Sequence, residues 1–323
     1  MPLIFNRNTS LRLSSARDNF DVTFEQYSSS TSSPSSSSAA TSSSNNAIAP
    51  ENITYPVPAV IHNIFIGSKD NLRPSWALAA HACRTVHPDW NFEYWDNGRA
   101  ERFVRRVYPG VWPTWKNYRY DIQRADSLRY MILHHYGGIF LDLDLLCLRP
   151  LTPLRAFDFV APAAYPSGIS NGFVVSKPKM PFLAEVIANL PKYDVSWFGL
   201  PYATISFSTG CHFLSTMHLF TKTNRSLLRV LWGPRHLHHL SGNVTTPLFH
   251  HFGSSSWHSY DAAFIKAMKH PSQSLFRIGA TRTQWTWAAI ILFPAIAIST
   301  FVATVLFVVY QVKMRSVRRR LMQ

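Results

Sequence analysis

Three observations predict an α/β domain tethered to a membrane. Between about Pro58 and Gln284, short apolar runs closed by turn residues alternate with stretches of helical spacing. That span, 227 residues from 58 through 284, is long enough to bury a core of its own. Near the end of the chain a run of 25 residues carries no charge at all. The predicted boundaries are a disordered, Ser-rich region over 1–57, the folded domain over 58–284, a transmembrane helix over 285–310 and a basic tail over 311–323.

The N-terminal region is read from composition. Residues 28–44 hold twelve serines in seventeen positions, and no periodic apolar set offsets the chain entropy. Arg7, Arg12 and Arg17 precede this tract, but Asp18, Asp21 and Glu25 interrupt them, and the apolar stretch of a secretory signal is missing from these residues.

The domain opens with Val57–Gly67, an apolar run ended by glycine, which reads as a buried strand. Residues 76–85 read as a helix and 91–95 as a second strand stopped by Asp96-Asn97-Gly98. Trp112 and Trp115 fall in a Pro-punctuated stretch read as a loop, a candidate lid facing sugar or lipid. Asp121 is a candidate N-cap for a helix with Ile122, Ala125, Leu128, Ile132 and Leu133 on one face, ended by Gly137-Gly138. Ile139-Phe140-Leu141 restarts the chain as a strand, and the runs 157–161 and 172–176 extend the alternation. Ligands of such sheets bind at strand ends.

The segment Thr286–Tyr310 would span roughly 37 Å as a helix, enough for a ~30 Å hydrocarbon layer with some tilt. Trp285, Trp287 and Tyr310 mark its ends, and Lys313, Arg315, Arg318, Arg319 and Arg320 follow. Positive flanks stay cytosolic, so the larger N-terminal part is expected on the luminal side. The sequons at Asn8, Asn52, Asn224 and Asn243 are compatible with that side.

With 32 Lys+Arg against 17 Asp+Glu, the formal charge of +15 asks for an anionic partner: nucleic acid, a membrane surface or a phosphorylated substrate. The basic residues are dispersed and no nucleic-acid-binding signature is present, so no nucleic acid is expected. Three widely spaced cysteines, Cys83, Cys147 and Cys211, allow at most one disulfide and one free thiol. Cys211 reads as a small hydrophobe. The tract Arg235–His239 reads as a loop rather than a metal site.

The chemistry concentrates in DIQRADSLRYMILHHYGGIFLDLDLLCLR, residues 121–149. Asp142 and Asp144, two apart at the end of an apolar strand, are expected on one face, where they repel unless a cation lies between them. A hard divalent ion, Mg²⁺ or Mn²⁺, supplies that charge and keeps positions open for phosphate oxygens. Asp126 and Arg129, three apart on the preceding helix, share a face that Gly137-Gly138 folds back toward Asp142. A carboxylate and a guanidinium there suit a sugar hydroxyl and a phosphate. Asn171-Gly172-Phe173 is read either as an acceptor-side loop or as a turn into a strand.

The run R-A-D-x-x-R-Y-x-I-L-x-x-Y-G-G-I-F-L-D-L-D resembles the glycosyltransferase family 32 sugar transferases, and more narrowly the fungal inositol phosphorylceramide mannosyltransferases. Pro58–Phe65, Ser75-Trp76, Tyr94-Trp95-Asp96 and His250–His258 carry the likeness further, over roughly Pro58 to Asp261. The resemblance implies a GT-A type, Rossmann-like nucleotide-sugar-binding domain, a divalent metal (Mn²⁺ or Mg²⁺), GDP-mannose as donor and inositol phosphorylceramide as acceptor. It also implies a Golgi membrane setting, a retaining mechanism and a possible regulatory membrane subunit. Carried over by position, Asp144 ligates the metal directly, and Asp142 holds the ribose and the metal shell. Asp126 and Arg129 contact the donor sugar, while Trp257 and His258 close over the diphosphate or complete the metal shell. Phe140 stands where the family commonly has tyrosine.

Overall fold

The computed structural model describes residues 11–27 and 54–253, apart from 69, 71, 165–167 and 198. The run Thr286–Tyr310, Trp257 and His258 lie outside the described residues. Among those described, no helix is long and apolar enough to cross a membrane.

The central sheet has six strands: β1 (Val60–Ile64), β2 (Asn91–Trp95), β3 (Gly138–Leu141), β5 (Phe159–Pro162), β6 (Phe173–Ser176) and β7 (Leu228–Leu231). Their order is β2-β1-β3-β6-β5-β7. All run parallel except β6, which is antiparallel to both β3 and β5. A second sheet, β4-β9-β8, joins β4 (Leu145–Cys147), β8 (Asn243–Thr245) and β9 (Phe249–Phe252). The helices of six residues or more are α1 (Pro74–Val86), α2 (Asn97–Val107), α3 (Trp112–Asn117), α4 (Asp121–Tyr136), α5 (Pro181–Tyr193), α6 (Pro201–Ser208) and α7 (Cys211–Phe220).

Strand β3 is buried along its whole length because both faces of the sheet are covered. Phe140 joins an apolar cluster with Trp95, Leu128 and Phe213, whereas Ile139 and Leu141 point to the opposite cluster around Ile61, Phe173 and Phe249. Gly137 closes α4 with φ +69°, and a Cβ there would lie 2.6 Å from Pro178 Cδ, so the turn from α4 into β3 admits only glycine. The α4 reading from sequence matches in extent, with Tyr120 rather than Asp121 in the cap position.

Part of the N-terminal region is corrected. Residues 11–27 fold against the domain: Leu13, Phe20 and Phe24 are buried in the second cluster. Leu13 N–H donates to Val230 O at 2.9 Å, and Asp18 pairs with Arg229 at 2.9 Å. Three scattered apolar anchors without period carry this contact. A second correction concerns Trp112 and Trp115. They lie on α3, with Pro113 in its first turn, and Trp115 is buried with its Nε1 donating to Arg124 O at 3.0 Å.

Cys83 on α1 and Cys147 on β4 form a disulfide across a separation of 64 residues, leaving Cys211 as the free cysteine. His238, from the basic loop, is buried on Val22 O at 2.6 Å rather than facing a metal.

His62 on β1 is buried and neutral. Trp95 Nε1 donates to its Nδ1 at 3.3 Å, so its Nε2 carries the proton and donates to Gly137 O at 2.9 Å. Burial depresses its pKa to about 4, and burial likewise lowers His218 and His238 to about 4. In the unfolded chain these rings protonate near pH 6.5. Between about pH 6.5 and 4 the unfolded state therefore binds more protons, and stability falls as pH falls through that window. The full-length chain in detergent is expected to lose up to about 3 kcal/mol per histidine between pH 7 and 4. Denaturant midpoints at pH 7.5, 5.5 and 4.5 check this; a flat profile would refute it.

Candidate active site

Asp142 and Asp144 do not alternate along a strand as the sequence predicts. Strand β3 ends at Leu141, and residues 142–144 form a turn into β4 in which Leu145 N–H donates to Asp142 O at 3.2 Å. The two carboxylates consequently meet different neighbours. Asp142 leaves on the side of Phe140, beneath α4, while Asp144 turns toward the second sheet.

The Asp142 side chain is 40% exposed and faces Arg129 at 3.4 Å. Its backbone N–H is held by Gly172 O at 2.9 Å, and Asn63 Nδ2 donates to the adjoining Leu141 O at 2.9 Å. Gly172 lets this approach happen: a Cβ there would sit 2.6 Å from Asp142 Oδ2. Partial loss of water on the side packed beneath α4 raises its pKa to about 7; Arg129 opposes that shift, and the negative charges of Asp144 and Asp126 add to it.

Arg129 and Asp126 lie behind Asp142, 3% and 4% exposed, and pair at 2.9 Å. Arg129 also donates to Asn171 O at 2.7 Å, stacks 4.3 Å over the Phe140 ring, and has no partner for its Nε among the described residues. The Asp126 carboxylate is held from inside the fold: Asn171 Nδ2 donates to it at 3.0 Å and Thr209 Oγ1 at 3.2 Å. The sequence places both residues against the donor sugar; they stand buried in the wall directly behind Asp142. The α6–α7 junction closes that wall. Tyr130 Oη donates to Thr209 O at 2.7 Å, and Cys211 Sγ lies 2.8 Å from Asn171 Oδ1. Cys211 thus belongs to the polar network and is not the plain apolar filler expected from its neighbours. Asn171-Gly172 is a turn into β6 whose side chain reaches the network.

Asp144, 6% exposed, pairs with His251 Nε2 at 3.1 Å, and its carbonyl accepts from Phe252 N–H at 3.0 Å. Burial alone would lower the His251 pKa, but the Asp144 carboxylate and the charge of Asp142 outweigh it and hold the ring above its usual value. His251 was missed as a site residue, although it stands in the late His-rich motif.

The donor set fits a hard divalent ion. The charges of Asp144 and Asp126 push the Asp142 pKa upward, part of the Asp142 side chain stays in solvent, and carboxylate oxygens are the donors that a hard divalent ion takes. Among the described residues no group of three or more His, Cys, Asp and Glu side chains is placed to hold a metal ion.

Residues 74–160, which carry this turn, match the model of the glycosyltransferase sugar-binding region containing the DXD motif. The chain is 35% identical over 226 residues to inositol phosphoceramide mannosyltransferase 1 of Schizosaccharomyces pombe, covering 68% of each chain. It is 35% identical over 218 residues to mannosyl phosphorylinositol ceramide synthase SUR1 of Saccharomyces cerevisiae, covering 66% of this chain but 55% of that protein. Among solved structures, the PaToxG glycosyltransferase aligns at TM-score 0.40 and 14% identity over 50% of this chain and 70% of that one, too distant to assign the fold by itself. With the D-x-D turn in place and this degree of identity, the chain belongs to the DXD-motif glycosyltransferases of family 32, together with these fungal relatives.

Proposed function

We propose that the chain is a membrane-anchored mannosyltransferase that moves mannose from GDP-mannose to inositol phosphorylceramide on the luminal side of the Golgi membrane. The observation that carries this reading is the 35% identity over 226 residues to an inositol phosphoceramide mannosyltransferase, with the D-x-D turn inside the aligned family region. The GT-A type of nucleotide-sugar site is inferred from the same motif. Anchoring rests on the uncharged run Thr286–Tyr310 and its basic flank. The Cys83–Cys147 disulfide supports an oxidising compartment.

Asp142 and Asp144 are the residues that would hold Mn²⁺ or Mg²⁺, which supplies charge to offset the departing diphosphate. Arg129 keeps the Asp142 carboxylate aimed out of the wall while Asp126 and Asn171 fix Arg129. His251 orients Asp144. No carboxylate pair at nucleophile-plus-acid spacing is evident in the sequence, so transfer with retention is assigned to attack by the acceptor hydroxyl on the face that the diphosphate leaves. Trp257 and His258, just past the described residues, are proposed to complete the donor and metal sites.

The test is an assay of membranes containing the full-length chain with radiolabelled GDP-mannose, Mn²⁺, and either inositol phosphorylceramide or a mannosylated glycoprotein acceptor. Label is expected in the lipid fraction, in the α configuration. Label confined to glycoprotein, or an inverted product, would overturn the reading.

A further inference from the structure

The connection from α5 to α6 is the most exposed apolar stretch near the site. Val195, Trp197 and Leu200 keep 52%, 39% and 37% of their surface in solvent, and Phe207 on α6 keeps 39%. Isolated exposed apolar residues are common, but these fall within thirteen positions, and the Trp197 and Phe207 rings meet at 4.9 Å. Phe207 in turn stacks on His212 of α7 at 5.0 Å. Lys192 and Tyr193 border the patch, around a cavity of about 270 Å³. That volume is below the range of sites that enclose a whole small ligand, so the face suits resting on a surface better than engulfing a lipid.

The patch is continuous with the active site through a few residues. Phe207 is followed by Ser208, which accepts from Gln123 at 2.8 Å, and by Thr209, which donates to Asp126. Tyr193 meets Phe213 at 5.0 Å, and Phe213 meets Tyr130 at 6.4 Å, whose hydroxyl bonds the same junction. The end of α6 therefore carries exposed aromatics on one side and the wall of the Asp126–Arg129 pair on the other.

We propose that this face, formed by Val195, Trp197, Leu200 and Phe207 beside Lys192, rests on the lipid leaflet that carries the acceptor, and so presents the Asp142 cleft to headgroups at the membrane surface. A tryptophan and a phenylalanine with a lysine at the rim is the composition of interfacial contacts, in which rings sit at headgroup level and the ammonium reaches anionic phosphates. With the five cations of the basic tail set aside, residues 1–310 still carry a formal +10, which favours a surface of anionic headgroups. The uncharged run begins 33 residues after Gly253 and would keep the domain near the bilayer without choosing which face meets it; the patch makes that choice. This inference rests on the lipid-acceptor reading above.

The full-length chain is reconstituted in phosphatidylcholine vesicles containing phosphatidylinositol, with a polarity-sensitive fluorophore on Val195→Cys and, as a control, on Glu101→Cys of α2. Label taken up by the parent chain is subtracted. The label at position 195 is expected to shift to the blue and to be quenched at least twofold more than the control by lipids bearing a nitroxide. Trp197→Ser/Phe207→Ser is expected to raise KM for vesicle-borne inositol phosphorylceramide about tenfold, with KM for GDP-mannose and turnover of a water-soluble inositol phosphate acceptor unchanged. Trp197→Phe should restore most of the lipid activity. An unquenched label overturns the proposal, as does shielding that depends on protein concentration and not on lipid, which marks a second copy as the occupant. Equal losses on both acceptors also overturn it, because they indicate a packing role. A chain inert toward both acceptors ends the lipid-acceptor reading, and the quenching arm then decides the membrane contact alone.

Discussion

Asp142→Ala and Asp144→Ala are each expected to lower mannosyl transfer by about 10³-fold, the size of effect seen when one group aimed at developing charge is removed. The two losses should differ in character. Asp142 keeps part of its side chain in solvent, and Asp142→Ala relieves the repulsion from Asp144 and Asp126. It should leave thermal stability unchanged or slightly raised. Asp144 is buried against His251, and its removal strands that ring, so Asp144→Ala should lower stability by about 1–3 kcal/mol along with activity. Transfer from labelled GDP-mannose at saturating Mn²⁺, paired with melting temperatures of the same preparations, checks both. Transfer within threefold of the parent chain in either variant would remove that aspartate from the chemistry.

Arg129→Met should be the most damaging single change to the fold around the site. The guanidinium is 3% exposed and answers two carboxylates, Asp126 at 2.9 Å and Asp142 at 3.4 Å. Removing one partner of such a buried pair leaves an uncompensated charge and costs about 3–5 kcal/mol, equivalent to a fall in Tm of roughly 10 °C for a domain of this size. Asp126→Asn/Arg129→Met should recover a large part of that loss, because the amide keeps the contacts to Asn171 and Thr209 without the charge. A double-mutant cycle by thermal unfolding measures the coupling; additive losses would show that the pair acts independently. Arg129→Lys should hold stability better than activity, since one ammonium cannot repeat the fork that bridges Asp126 and the Asn171 carbonyl.

The chemical centre was largely legible in one stretch of sequence because its first layer is local. Asp126 and Arg129 occupy one helix, and Asp142 and Asp144 the turn between the two strands that follow it. The second layer was not legible for the opposite reason. Asn171 and Thr209 reach Asp126 across separations of 45 and 83 residues, and His251 comes from a strand whose pairing with β4 no local pattern announces. Asn171 carried a signal, an Asn-Gly pair before an apolar run, but that signal specifies a turn and says nothing of where its amide points. Cys211 was read as apolar because its neighbours are, while its thiol lies beside the Asn171 amide oxygen. The prolines near Trp112 suggested a loop, yet proline in a first turn starts a helix as readily as it ends one. Residues 11–27 went unseen because Leu13, Phe20 and Phe24 obey neither helical nor strand spacing. Their placement depends on partners more than a hundred residues later, among them Phe157, Arg229 and Val230.

The link between Cys83 and Cys147 closes a ring of chain containing all four charged residues of the centre, with one end beside the D-x-D turn. Such a closure restrains the unfolded chain by about 4 kcal/mol in the loop-entropy account. A reductant would therefore act on the D-x-D turn through the backbone, loosening the helix-to-strand staple rather than meeting any of the four charged groups. Protein made where thiols stay reduced would carry an intact sequence and a slackened centre.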